Sequence, residues 1–100
     1  MKITWSPLAV ERMAEISDYI AYDKPSAATR WVDSIFNKVN LLRDNPKMGR
    51  VVPEIDVPGI REIVYGNYRI IYRYAENSLN ILTVRSFRQI LPVEDIGSDR

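Results

Sequence analysis

The sequence predicts an α+β domain: an N-terminal strand, then an antiparallel helical hairpin packed on one face of a small antiparallel sheet that ends in a three-stranded meander. Three observations carry this expectation. Apolar residues recur at helical spacing from Ala9 to Leu42, with one break at Asp23-Lys24-Pro25. Three short runs rich in β-branched and aromatic residues follow between Ile60 and Val84, separated by the turn-forming pairs Gly66-Asn67 and Glu76-Asn77. The chain has 100 residues and no cysteine, so it is one domain that buries about 65% of its unfolded surface without disulfide staples.

Lys2 to Trp5 reads as a short strand, after which Ser6 supplies an N-cap hydroxyl and Pro7 a first helical residue whose missing N–H costs nothing. Ala9, Met13, Ile16 and Ile20 form the buried stripe of the first helix, widened by Tyr19 and Tyr22, while Glu11, Glu15 and Asp18 lie off it. Pro25 restarts the helix, and Ala28, Val32, Ile35, Val39 and Leu42 supply the second stripe. Two helices joined by so short a break fold back on one another. Asn45-Pro46 ends the pair. Residues 47–59 contain two prolines and two glycines and read as a long surface loop, a length that is uncommon without a function. The domain spans 1–92, and 93–100 read as a solvated polar tail.

Gly66-Asn67 is the signal for a two-residue hairpin with glycine at the first turn position, where a positive φ costs glycine nothing. This sets Tyr65 opposite Tyr68, Val64 opposite Arg69, Ile63 opposite Ile70, Arg61 opposite Tyr72 and Ile60 opposite Arg73. A second tight turn at Glu76-Asn77 sets Tyr74 opposite Leu79, Arg73 opposite Asn80 and Tyr72 opposite Ile81. Side chains alternate between faces. Ile63, Ile70, Tyr72, Tyr74, Leu79 and Ile81 therefore form the face covered by helices, and Glu62, Arg69, Arg73 and Asn80 form an open, solvated face.

Fourteen basic against thirteen acidic side chains leave a net charge of +1. Residues 1–46 are balanced at six and six, 47–89 hold seven basic against four acidic, and 90–100 hold one against three. The middle of the chain is mildly cationic, short of the clustered excess of a dedicated nucleic-acid binder. No apolar run approaches the ~20 residues of a membrane helix, and the first residues lack the apolar core of a signal peptide. The expectation is a cytoplasmic protein without metal or cofactor.

Trp5-Ser-Pro, Tyr19-Ile-Ala, Asp23-Lys-Pro-Ser-Ala-Ala28, Gly49-Arg50, Pro53-Glu54, Ile60-Arg-Glu62, Tyr68-Arg-Ile-Ile-Tyr72 and Arg88-Gln89 occur in an order that, over residues 3 to 92, resembles the RelE/ParE superfamily of bacterial toxins. The resemblance implies the toxin of a type II toxin–antitoxin pair, neutralised by a cognate antitoxin in a heterotetramer or larger assembly. RelE-like members cut messenger RNA on the ribosome, and ParE-like members inhibit DNA gyrase.

Cleaving RNA through its 2′-hydroxyl takes a base, an acid and a cation at the phosphorane. For that reading the resemblance places Glu54, Arg69 and Arg88 at the site. This chain has no histidine, however, and no tyrosine follows the last strand. Arginine holds its proton and acts as an electrostatic clamp rather than a proton carrier. The ParE-like, non-catalytic reading is favoured. The nuclease remains the first alternative, and a non-toxic antitoxin-binding member the second. Arg85, Phe87 and Arg88, with Arg69 and Arg73 from the open face, are the expected target-binding set. The competing reading of Arg69 and Arg73 is a cross-strand cluster around Glu62. Arg61 falls on the apolar face and is expected to snorkel at its edge or pair with an acid. Trp31 and Phe36 lie off the second stripe; they are expected either to meet the antitoxin or to pack in the core.

Overall fold

The computed structural model describes residues 1–88 together with 95 and 96. Chain order is β1 (Lys2–Trp5), α1 (Pro7–Asp23), α2 (Pro25–Asn40), a 3-10 turn (Leu41–Arg43), β2 (Arg50–Val51), β3 (Ile60–Tyr65), β4 (Tyr68–Ala75) and β5 (Ser78–Ser86). Ser6 starts α1 as expected: its Oγ accepts from the Ala9 N–H at 3.0 Å and donates to the Leu82 carbonyl at 2.9 Å. One hydroxyl thus caps the helix and ties it to the sheet. Lys24 alone separates the two helices, and Pro25 opens the second.

The five strands form one sheet in the order β1-β5-β4-β3-β2. The β3–β4 register is the one the Gly66-Asn67 turn dictates, from Tyr65 opposite Tyr68 to Ile60 opposite Arg73, and Gly66 has φ +57°. The β4–β5 register follows the second turn through Tyr72 opposite Ile81. Beyond it Ile71 pairs with Thr83, so Leu82 is an extra residue on β5, a β-bulge. The sheet is mixed, because β1 runs parallel to β5, Lys2 beside Ser78 and Trp5 beside Ile81.

The helices cover the expected face. Ala9, Met13, Ile35, Val39 and Leu42 bury against Ile63, Ile70, Tyr72, Leu79 and Ile81, with Val84 brought to the same side by the bulge. Trp31 belongs to this core, 8% exposed and edge-on to Tyr68 at 5.1 Å between ring centres. Tyr19 and Tyr22 do not widen the stripe. With about 100° between successive helical residues, burying Ile16 and Ile20 turns both rings toward solvent, and both are exposed.

The opposite face is not open, which corrects the expectation for Glu62, Arg69 and Arg73. Residues 50–59 return across it as the edge strand β2 and a turn, and Val52 packs with Ile60, Ile71, Leu82 and Ile96 in a second core joined by Ile55 and Val57. Glu62 is 1% and Arg69 5% exposed. Arg73 is half-buried. Asp95 and Ile96 are also buried, so this part of the supposed tail is packed; the rest of 93–100, and the boundary at 92, lie outside the described residues.

Candidate functional site

Burying charge requires pairing, and the face opposite the helices meets that requirement with a ladder of alternating sign. Arg50 Nε donates to Glu62 Oε2 at 2.5 Å, and Arg69 Nε donates to Glu62 Oε1 at 2.6 Å. The fork of Arg69 then donates through Nη1 and Nη2 to the two oxygens of Glu54 at 2.7 and 2.8 Å. Bidentate guanidinium–carboxylate pairing of this kind is among the stronger polar contacts in proteins. The Phe87 ring lies over the same guanidinium, its centroid 5.8 Å from Arg69 Cζ. Arg69 therefore fastens the 50–59 loop, β3 and the end of β5 to one point.

Its hydrogen bonds with Arg69 hold the Glu54 carboxyl below the usual range, and the same bonds, that to Glu54 foremost, hold Arg69 more firmly protonated. Neither change suits proton transfer at neutral pH. The sign for stability follows from the depressed value: the Glu54 contribution is fully present above the unfolded glutamate pKa of about 4.3 and is lost as pH falls through the folded one. Glu54→Gln is therefore expected to lower the melting temperature at pH 7 and to narrow its gap to wild type as pH falls below 4, measured by circular dichroism. An equal gap at pH 7 and pH 3 would contradict the pairing.

Of the sequence-predicted residues, Glu54 and Arg69 thus meet each other, and Arg73 stands apart from them. Arg73 does not join Glu62, whose two oxygens are taken by Arg50 and Arg69; its buried Nε has no acceptor among the described residues. Arg61 pairs with carbonyls rather than an acid, donating to Pro58 O at 3.1 Å and Gly49 O at 3.0 Å while lying over Tyr74. Trp31 is core, whereas Phe36 is exposed on α2 and tilted against Trp5.

The end of β5 presents an aromatic ring and a cation side by side to solvent. Phe87 is 46% exposed, Arg88 is exposed beside it, and Arg85 is half-buried. Arg85 and Arg88 join Arg12, Glu15 and Tyr19 of α1 around a groove of about 510 Å³. Sequence reading passed over Arg12, because its partner Asp95 is 83 residues away. Asp95 accepts from Thr83 Oγ1 at 3.0 Å and lies 3.4 Å from Arg12 and 3.6 Å from Arg85.

A helical hairpin on one face of a five-stranded mixed sheet, with a buried arginine clamp on the reverse face, defines a small α+β domain. The model of the ParE toxin of type II toxin–antitoxin systems, parDE, matches residues 3–91, and the chain belongs to that family. It is similar to "Putative toxin Y4kP" of Sinorhizobium fredii, 36% identical over 93 residues, which span 91% of this chain and 93% of that protein. A solved structure described as the chromosomal ParDE TA system from P. aeruginosa shares the fold, with a TM-score of 0.70 and 24% identity over 86% of this chain and 95% of that one. No described helix is long and apolar enough to cross a membrane.

Proposed function

We propose that this ParE-family toxin acts in the cytoplasm by binding DNA gyrase through the Phe87–Arg88 tip, and that a cognate antitoxin holds it inactive. The observation that supports this reading is the state of Arg69. The residue a nuclease would need at the phosphate is 5% exposed, its fork is filled by Glu54, and its Nε is bound to Glu62. Three of the five donors of that guanidinium are committed to carboxylates whose negative charge opposes a phosphorane, and the adjacent Glu54 is a weakened base. An exposed phenylalanine next to an arginine instead combines two residue types that are enriched at protein interfaces. The likeness to a ParDE system supports the antitoxin.

The test is gyrase with relaxed or supercoiled plasmid and increasing toxin. Wild type is expected to lower supercoiling or accumulate cleaved DNA, and Phe87→Ala and Arg88→Ala each to require at least about tenfold more protein, or about 1.4 kcal/mol of binding. Unchanged gyrase at excess wild-type toxin would overturn the proposal.

A further inference from the structure

β1 stops at Trp5, opposite Ile81, while β5 runs on to Ser86, so beyond Ile81 no described strand borders β5 on that side. Asp95 and Ile96 meet the sheet along this part of β5. The Asp95 carboxylate, its side chain 4% exposed, accepts from Thr83 Oγ1 of β5 at 3.0 Å and from Arg12 Nη2 of α1 at 3.4 Å, with Arg85 Nη1 3.6 Å away. Ile96 is buried on the face opposite the helices, packed with Val52, Ile60, Ile71 and Leu82. Two consecutive residues therefore hold the helix layer on one side of the sheet and the 50–59 loop on the other.

That loop has few holds of its own. β2 is two residues long, and the turn after it is closed by the Ile55 and Asp56 N–H groups, which donate to the Val52 carbonyl at 3.1 and 2.8 Å. Asp56 takes φ +55°, a left-handed conformation that a non-glycine residue keeps only where its surroundings fix it. Of the five buried residues of the second core, the loop supplies Val52 alone; three come from the sheet, and Ile96 is the fifth. The seating of Ile96 depends in turn on its neighbour, because a buried carboxylate stays where its donors are. For Asp95 those donors belong to Thr83 and Arg12.

We infer that Asp95 and Ile96 form a clasp that couples α1 to the 50–59 loop, so that this segment and the loop release and close as one unit. Glu54 is carried on the loop, next to Ile55 and Asp56, and leaves Arg69 when the clasp opens. The lock on Arg69 supports the function proposed above, but the clasp is a property of the fold and holds whatever the target is.

Native-state amide exchange on the full chain, read at Val52, Ile55 and Asp56, tests this. In wild type these amides are expected to exchange faster than the Ile35 N–H of α2, through an opening of the loop short of global unfolding. Ile96→Ala should speed them at least about tenfold, as expected for truncating a buried isoleucine. Arg12→Gln and Asp95→Asn change no residue of the loop, yet each should speed the same amides at least about threefold through the lost hydrogen bonds. Asp95→Asn keeps the side-chain shape and decides the matter if Arg12→Gln fails to fold. A smaller change in the folded variants would overturn the inference, because the loop would then open without this segment. Loop amides no faster than Ile35 in wild type would overturn it as well, since the loop would then have no opening of its own. Because gyrase is absent from this assay, a failure of gyrase inhibition leaves its outcome unaffected.

Discussion

Gly49→Ala is expected to destabilise the protein by about 3 kcal/mol, the upper end of overpacking costs. A Cβ at this position would lie 2.5 Å from the Glu62 carbonyl oxygen and 2.7 Å from the Tyr72 hydroxyl, too close to both. Neither neighbour can yield cheaply. The carbonyl belongs to the β3 backbone, and the hydroxyl accepts from the Gly49 N–H at 3.0 Å while donating to Pro46 O at 2.7 Å. Burial, the largest influence on that phenol, pushes its pKa up and keeps it a donor. The Gly49 carbonyl in turn accepts from Arg61. A shift at Gly49 therefore disturbs the point where the 47–59 loop enters the sheet. Urea denaturation would show a lower midpoint at unchanged slope, and a loss below about 0.5 kcal/mol, the scatter of neutral surface changes, would contradict the packing described.

Arg69→Ala should cost more, about 3–5 kcal/mol, because it leaves Glu62 buried with half of its pairing removed and releases Glu54. Arg69→Lys keeps the charge but loses the planar fork and should recover only part of the loss. Arg69→Met combined with Glu62→Leu is the informative control. Removing both buried charges restores an apolar surface next to Ile60, Ile71 and Val52, and the double variant should be more stable than Arg69→Ala. If Arg69→Ala melts within a degree or two of wild type, the ladder is a surface feature and the clamp does not exist.

The hairpin register was fully legible, because a two-residue turn with glycine first leaves one pairing, and every pair from Tyr65–Tyr68 to Ile60–Arg73 follows from it. The helical hairpin was legible from its stripes and prolines. What failed was the second face. Glu62, Arg69 and Arg73 suggest solvent when read alone, yet Ile60 and Ile71 alternate onto the same face and are fully buried. Their presence, with Val52, Ile55 and Val57 spaced through the loop, was the signal that the loop folds back over the sheet. The Arg69–Glu62 pair is the half of the expected cross-strand cluster that forms, Arg73 staying out of it, and both charges point inward because Arg50 and Glu54 complete their pairing from outside the hairpin, which no local pattern reveals. The bulge at Leu82 is likewise silent in sequence, since alternation alone cannot show where one residue is skipped. It decides which of Thr83, Val84 and Arg85 faces the helices. The Arg12–Asp95 contact depends on the chain end returning to the first helix, and spacing has nothing to say about it.

Arg69 is locked between two carboxylates, and the proposal that this toxin binds a protein target rather than cutting RNA rests on that lock. One preparation of the protein should be given two targets in parallel: gyrase with plasmid, and ribosomes programmed with a defined message followed by primer extension. The prediction is an intact message at toxin concentrations that arrest gyrase. Cleavage of the message at those concentrations, abolished in a folded Arg69→Lys variant, would contradict it.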